Sequence, residues 1–120
     1  MKEVIAVIRP SRAKWTKQKL AEKGFNAYTE ERVLGCGKQK GLRYSQNSQD
    51  ESAGVTRGGI PFLPKRMLTL FVNDEDLDVA LAVLIESNKT GEIGDGKIFI
   101  CPMEDAVRIR TDERNRTALV

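Results

Sequence analysis

Residues 90–99 read TGEIGDGKIF: three glycines, an aspartate and a lysine stand directly before an apolar run. Glycine costs backbone entropy wherever it is ordered, so such a cluster marks a backbone that turns sharply or approaches a ligand closely. Successive N–H groups in a turn of this kind form an anion nest, and Lys97 adds a point charge suited to phosphate. The stretch is not a Walker A loop. Gly91 to Gly96 has the glycine spacing and Lys97 follows, but position 98 is Ile and the next element reads as a strand, not a helix. Taken alone, a glycine-rich turn with no ligand also accounts for it.

Two further segments offer the same chemistry. GCGKQKG, Gly35 to Gly41, pairs glycines with Lys38 and Lys40, and Gln39 supplies an amide oxygen, a hard ligand suited to Mg²⁺. A flexible strand exit with solvated lysines is the plainer reading of that stretch. In RIRT, Arg108 and Arg110 are spaced to project from one face of a strand, where two guanidiniums repel unless an anion lies between them. Lys65 and Arg66, after FLP, are weaker candidates of the same kind. Each signal has a structural explanation; together, cations and glycine backbone at several strand ends would hold a polyphosphate if they converged.

These groups need a scaffold. EVIAVIRP reads as a mostly buried strand closed by Pro10, and Ser11 is a candidate N-cap for a helix ending at Gly24. Ala13, Thr16, Lys17, Leu20 and Ala21 share a face of that helix; Trp15 lies off it and reads as a partly exposed packing residue. AYTEERVLG is a second strand and RMLTLFV a third. Between them lies a long polar stretch without period, which in a small domain marks a functional or disordered loop. Asn73 or Asp74 is expected to cap a second helix whose stripe is Leu77, Ala80, Leu81, Leu84 and Ile85, with acidic residues suiting its N-terminal dipole. KIFIC is a fourth strand, AVRIR alternates like a short half-exposed one, and TDERNRTALV reads as a polar, mobile tail. The order is the ferredoxin-like split βαβ plan, an α+β fold with both helices on one face of an antiparallel sheet. Apolar residues on the other face predict self-association.

The totals narrow the function. The 120 residues make one domain, and the net charge of +3 permits an anionic partner without demanding nucleic acid. Aromatics are only 6%, which argues against a base-stacking surface. Cys36 and Cys101 form no CxxC, so a reduced, cytoplasmic setting is the simplest expectation. The apolar run Val4 to Ile8 is too short to span a bilayer. Histidine is absent, which removes the commonest general base and argues against an enzyme.

In this order and spacing, GCGKQKG, FLPK, TGEIGDGKIF and RIRT resemble the PII signal-transduction family of nitrogen regulators, over nearly the whole chain from MKEVIAVIRP to Thr111. The resemblance implies a trimer of ferredoxin-like subunits with nucleotide sites in the clefts between neighbours, where ATP and ADP compete. It implies that Gly94, Asp95, Gly96 and Lys97 wrap the phosphates and that Arg108 and Arg110 reach them from the adjacent subunit. Lys38 stands where the family usually has a phosphate-contacting arginine, which keeps the charge but loses the planar fork. Val7, Thr29, Gly35, Gly37 and Phe71 would surround adenine and ribose. Gln39 would be the one protein side chain on Mg²⁺. With Mg-ATP bound, 2-oxoglutarate would chelate the ion, held by backbone N–H groups around Gln39, Lys40 and Gly41, with Lys65 on its distal carboxylate. Residues of about 37–64 would be the T-loop that docks on targets, and about 112–120 a mobile tail.

The loop departs from the common pattern. It is longer than in the usual glutamine-synthetase regulators and has no tyrosine at its middle, Tyr44 lying near its start; uridylylation there is therefore not expected, and Ser45, Ser48 and Ser52 read as solvated. Such a loop resembles the nitrogen-fixation branch of archaea and some anaerobes, in which a second PII-like subunit takes part and nitrogenase is inhibited directly. The reading is thus a sensor of ATP/ADP and 2-oxoglutarate that inhibits nitrogenase. The alternatives are control of an ammonium transporter or of glutamine synthetase and, outside the family, a weak ATPase or a nucleic-acid-binding module.

Overall fold

The structure, a computed structural model, describes residues 1–37 and 62–119. Its elements are β1 (Lys2–Ile8), α1 (Pro10–Glu22), β2 (Tyr28–Gly35), β3 (Leu63–Val72), a single 3₁₀ turn (Asp74–Asp76), α2 (Leu77–Asn88), β4 (Lys97–Pro102) and a short α3 (Arg116–Leu119). The strands form one antiparallel sheet in the order β2-β3-β1-β4. This is the expected ferredoxin-like arrangement; the stretch expected as a long loop, between β2 and β3, lies mostly outside the described residues.

β1 is paired on both edges and is accordingly apolar on both faces. Val4, Ala6 and Ile8 turn toward the helices and are buried with Leu68, Leu70 and Val72 of β3. Ala13 and Leu20 of α1 and Ala80, Val83 and Leu84 of α2 close this core. Fully burying each such leucine is worth roughly 1.5–3 kcal/mol. On the opposite face Phe71 and Phe99 are 43% and 49% exposed, so in one chain that face is uncovered.

Helix ends differ from the expected caps. Pro10, expected to close the strand, is instead the first residue of α1, where its missing N–H costs nothing; Arg9 is the N-cap residue and Ser11 caps nothing. At the other end Gly24 adopts φ +88°, and the N–H groups of Gly24 and Phe25 donate to the carbonyls of Ala21 and Leu20 in a Schellman closure. Neither Asn73 nor Asp74 caps α2 with its side chain. Asp74 instead accepts from the N-terminal ammonium at 3.0 Å.

The helices meet through a buried polar contact. Asn88 Nδ2 donates to Thr16 Oγ1 at 3.0 Å and to the Leu84 carbonyl at 2.9 Å, while the Thr16 hydroxyl donates to the Arg12 carbonyl. Thr16→Val strands one buried donor, and the expected cost is about 1–3 kcal/mol of stability, read as a lower urea midpoint at unchanged m-value. An unshifted midpoint would remove this contact from the account of the helix layer. On the sheet's other flank, Glu30 accepts from Lys17 at 2.8 Å and Arg66 at 2.9 Å, which takes Arg66 out of the set of cations open to a ligand. The Lys17 hydrogen bond, with Arg66 beside it, holds the Glu30 carboxyl below its ordinary range.

The AVRIR segment is not a strand. Among the described residues beyond β4, Val107 bridges to Arg114, and residues 109–111 turn. The Arg108 carbonyl accepts from the N–H groups of Thr111 and Asp112, and Asp105 gathers the Ala106 and Asn115 N–H groups and the Arg114 side chain. Alternation alone does not make a strand here, because among the described residues no neighbouring strand pairs with it. The residues expected as a polar tail contribute α3, and Arg116 pairs with Glu75 at 2.6 Å.

Candidate ligand site

The glycine stretch forms a closed turn between α2 and β4. Gly91, Gly94 and Gly96 all take positive φ, at +88°, +107° and +111°. Asp95 organises the turn from within. Its carboxylate accepts from the Thr90 hydroxyl, from the N–H groups of Thr90 and Gly91 at 2.8 and 2.9 Å, and from Arg9 Nη1 at 2.7 Å. These donors, the Thr90 hydroxyl first and Arg9 next, hold the carboxyl far below its usual range. Asp95 was expected among the residues that wrap phosphate; its side chain is spent on the turn itself, and its negative charge is neutralised by Arg9.

Two more contacts tie the turn to the sheet. Arg9 Nη2 donates to the Ile93 carbonyl at 3.1 Å, and Lys65 Nζ donates to the Gly94 carbonyl at 3.1 Å. Burial, with the Arg9 guanidinium adding to it, pushes the Lys65 ammonium below its ordinary value. Gly96 lies directly on β1: a Cβ there would stand 2.1 Å from the Val7 carbonyl oxygen. Lys97 opens β4 opposite Val7, is exposed, and makes no ion pair among the described residues. Gly35 pairs with Leu63, and a Cβ there would stand 3.0 Å from the Lys65 side chain.

One end of the sheet therefore gathers Val7, Gly35, Lys65, Gly94, Asp95, Gly96 and Lys97, with Gly37 just beyond the end of β2. The other candidates stand elsewhere. Phe71 pairs with Glu3 toward the far end of the sheet, and Thr29 pairs with Thr69, which lies opposite Ile5 at the middle of β1. Arg108 and Arg110 belong to an arm that leaves β4 beside Met1, where the Met103 N–H donates to the Met1 carbonyl and Arg116 reaches Glu75. The length of β1, about 20 Å at roughly 3.3 Å per residue, separates that anchor from the glycine turn. The two arginines also do not share a strand face as expected. Arg108 bends back to Glu113 and the Thr117 carbonyl, while Arg110 is exposed in a turn with no ion pair among the described residues. Lys38, Gln39, Lys40 and Gly41 lie outside the described residues, as do Tyr44 and the loop serines.

Reading the sequence alone missed Arg9 and Thr90. Arg9 looked like the polar end of an apolar strand, and only the fold brings it to Asp95. A threonine five residues before an aspartate across glycines was the available signal for Thr90.

Among the described residues, no three His, Cys, Asp or Glu side chains could hold a metal ion, and no helix is long and apolar enough to cross a membrane. What the site offers is backbone N–H groups and lysine charge at the end of an antiparallel sheet. On a ferredoxin-like sheet, such a turn brings together main-chain donors and cations, the groups that an anion would need.

The chain belongs to the nitrogen regulatory protein P-II family, whose model matches residues 1–113. It is 43% identical over the whole of both chains to the nitrogen fixation nifHD region GlnB-like protein 2 of Methanobacterium ivanovii. It is 44% identical to the protein of the same name in Methanococcus maripaludis, over 99% of this chain and 100% of that one. Among solved structures it resembles Arabidopsis thaliana PII bound to citrate, with a TM-score of 0.74 and 29% identity over 98% of this chain and 88% of that one. Proteins of this family are regulatory signalling proteins that respond to small-molecule effectors, and this chain is a regulator of that kind rather than an enzyme. The nifHD-region relatives connect it to nitrogen fixation.

Proposed function

We propose that this protein senses ATP or ADP together with 2-oxoglutarate in the cytoplasm and, through its long loop, inhibits nitrogenase until ATP and 2-oxoglutarate relieve the inhibition. The observation that carries the nucleotide part is the glycine turn, in which Asp95 is neutralised internally while Lys97 stays exposed. The separation of the two candidate groups along the sheet supports sites shared between protomers. The uncovered Phe71 and Phe99 face supports a self-assembly, here a trimer, that buries it. The names of the archaeal relatives support nitrogenase as the target.

In this reading Lys97 and the turn's N–H groups bind the nucleotide phosphates, and Arg108 and Arg110 approach from the neighbouring protomer. The nucleotide's magnesium ion supplies a Lewis-acid foothold for the keto acid, and Gln39 is the protein's ligand to it. Lys65 then exchanges the Gly94 carbonyl for a carboxylate. A change of partner at Lys65, near the start of β3, is transmitted to the long loop because Leu63 and Lys65 are where that loop rejoins the sheet.

The test is titration of nitrogenase turnover with the purified protein, with and without ATP and 2-oxoglutarate. Inhibition relieved by the pair is expected. Gln39→Ala should bind ATP with near-normal affinity yet lose the 2-oxoglutarate response entirely. Capture of an ammonium transporter or glutamine synthetase, with no effect on nitrogenase, would move the target to those proteins and leave the sensing chemistry intact.

A further inference from the structure

We infer that Arg9 is a positioning residue for the glycine turn: its forked guanidinium fixes which way the peptide groups of residues 93–95 face. The inference rests on the nucleotide reading above for its ligand. Arg9 stands between the last residue of β1 and Pro10, the first residue of α1, so its backbone is held by two regular elements. One guanidinium nitrogen donates to the Asp95 carboxylate and the other to the Ile93 carbonyl. Lys65 draws the Gly94 carbonyl toward the sheet as well. In a trans peptide the C=O and N–H point in opposite directions. With the carbonyls of Ile93 and Gly94 turned onto sheet cations, the N–H groups of Gly94 and Asp95 face away from the sheet. The Asp95 N–H meets only a long contact, 3.4 Å to the Glu92 carbonyl. A turn built this way presents donors outward and hides its acceptors, the polarity an anion requires.

Arginine suits this best. A lysine has the charge and three donors, but they radiate from one nitrogen instead of standing fixed and parallel, so it holds Asp95 and Ile93 together less firmly. The charged groups near Asp95 are Arg9 at the end of β1, Lys65 on β3, Lys89 and Lys97, which line the cavity beside it, and the acidic Glu92 of the same turn. Without Arg9 the Asp95 carboxylate loses one of its strongest partners and titrates at higher pH. A carboxyl whose native pKa is depressed supports the structure above that pKa and fails as pH falls through it. The R9M turn therefore loosens on the acid side at a higher pH than the native turn.

The experiment compares the full-length protein with R9M and R9K. In ligand-free protein, amide exchange at Thr90 and Gly91, whose N–H groups bond Asp95, should lose protection in R9M while the core amides of β1 and β3 keep theirs. ATP affinity by calorimetry should fall at least about tenfold in R9M, the loss of a charge-assisted pair, with R9K intermediate. Adding D95N to R9M should cost little more, because both act through one network. Unchanged amide protection and unchanged affinity in R9M would overturn the positioning role. If the native protein itself ignores ATP, the nucleotide reading fails, and the amide exchange still judges Arg9 by itself.

Discussion

Gly96→Ala is expected to lower ATP affinity by at least about a hundredfold, equivalent to roughly 2.7 kcal/mol, while the protein still folds. The new Cβ would sit 2.1 Å from the Val7 carbonyl oxygen and 3.3 Å from Ile8 Cα. Both belong to β1, the strand paired on each side, so neither can move aside without breaking the sheet. The backbone at φ +111° is also one that side chains rarely adopt, a strain of about 1–3 kcal/mol on its own. The turn must lift, which pulls the Gly94 carbonyl off Lys65 and Asp95 off Arg9 and scatters the outward N–H groups. The buried core is built from side chains of β1, β3, α1 and α2 rather than from the turn, so the melting midpoint should fall by much less than the affinity does. Gly91→Ala is the control: its φ is +88° but a Cβ there meets nothing within 4 Å, so strain acts without collision and the loss should be smaller. Calorimetry giving Gly96→Ala the native affinity would mean that the turn does not hold the nucleotide.

The three positive-φ glycines show why the sequence was informative at this turn: the residue type itself encodes the backbone. The strands and helices were legible for a related reason, because alternation in β1 and the 3.6-residue stripe of α2 are direct imprints of burial. The α2 stripe still came out rotated. Ile85 is 48% exposed, whereas Val83, Ser87 and Asn88 are buried, because α2 leans on α1 through the Asn88–Thr16 hydrogen bond. A polar residue buried by a partner far along the chain leaves no hydrophobic signal. The partners of the Asp95 side chain were illegible for a similar reason. An aspartate among glycines has the same appearance whether it faces a ligand or an arginine that the fold delivers from β1. Alternation suggests a strand at Arg108 and Arg110 because it is local, while a strand needs a partner, and among the described residues the arm beyond Pro102 pairs only through the Val107–Arg114 bridge. Ile109, 96% exposed between them, shows that this arm is not folded onto its own chain's core.

That geometry leads to the second large effect. Lys97 stands at the glycine-turn end of β1, and the arm bearing Arg110 is anchored at the Met1 end. If both contact one nucleotide, they do so from different protomers. Lys97→Ala and Arg110→Ala should each weaken ATP binding by roughly 10- to 150-fold, the range for a charge-assisted contact of about 1.5–3 kcal/mol. Arg110 is the better choice than Arg108, whose side chain also holds the arm together through Glu113 and the Thr117 carbonyl. The informative sample is the two variants unfolded together and reassembled at equal amounts. In a ring of head-to-tail contacts, each site takes its turn from one protomer and its arm from the next. About one quarter of randomly formed sites then combine an intact Lys97 with an intact Arg110 and regain native affinity. Calorimetry should show that fraction as a tight component absent from either parent. If each site lay within a single chain, every site in the mixture would carry one lesion and no tight component could appear. Its absence from mixed assemblies, with mixing verified by mass spectrometry, would refute the shared site.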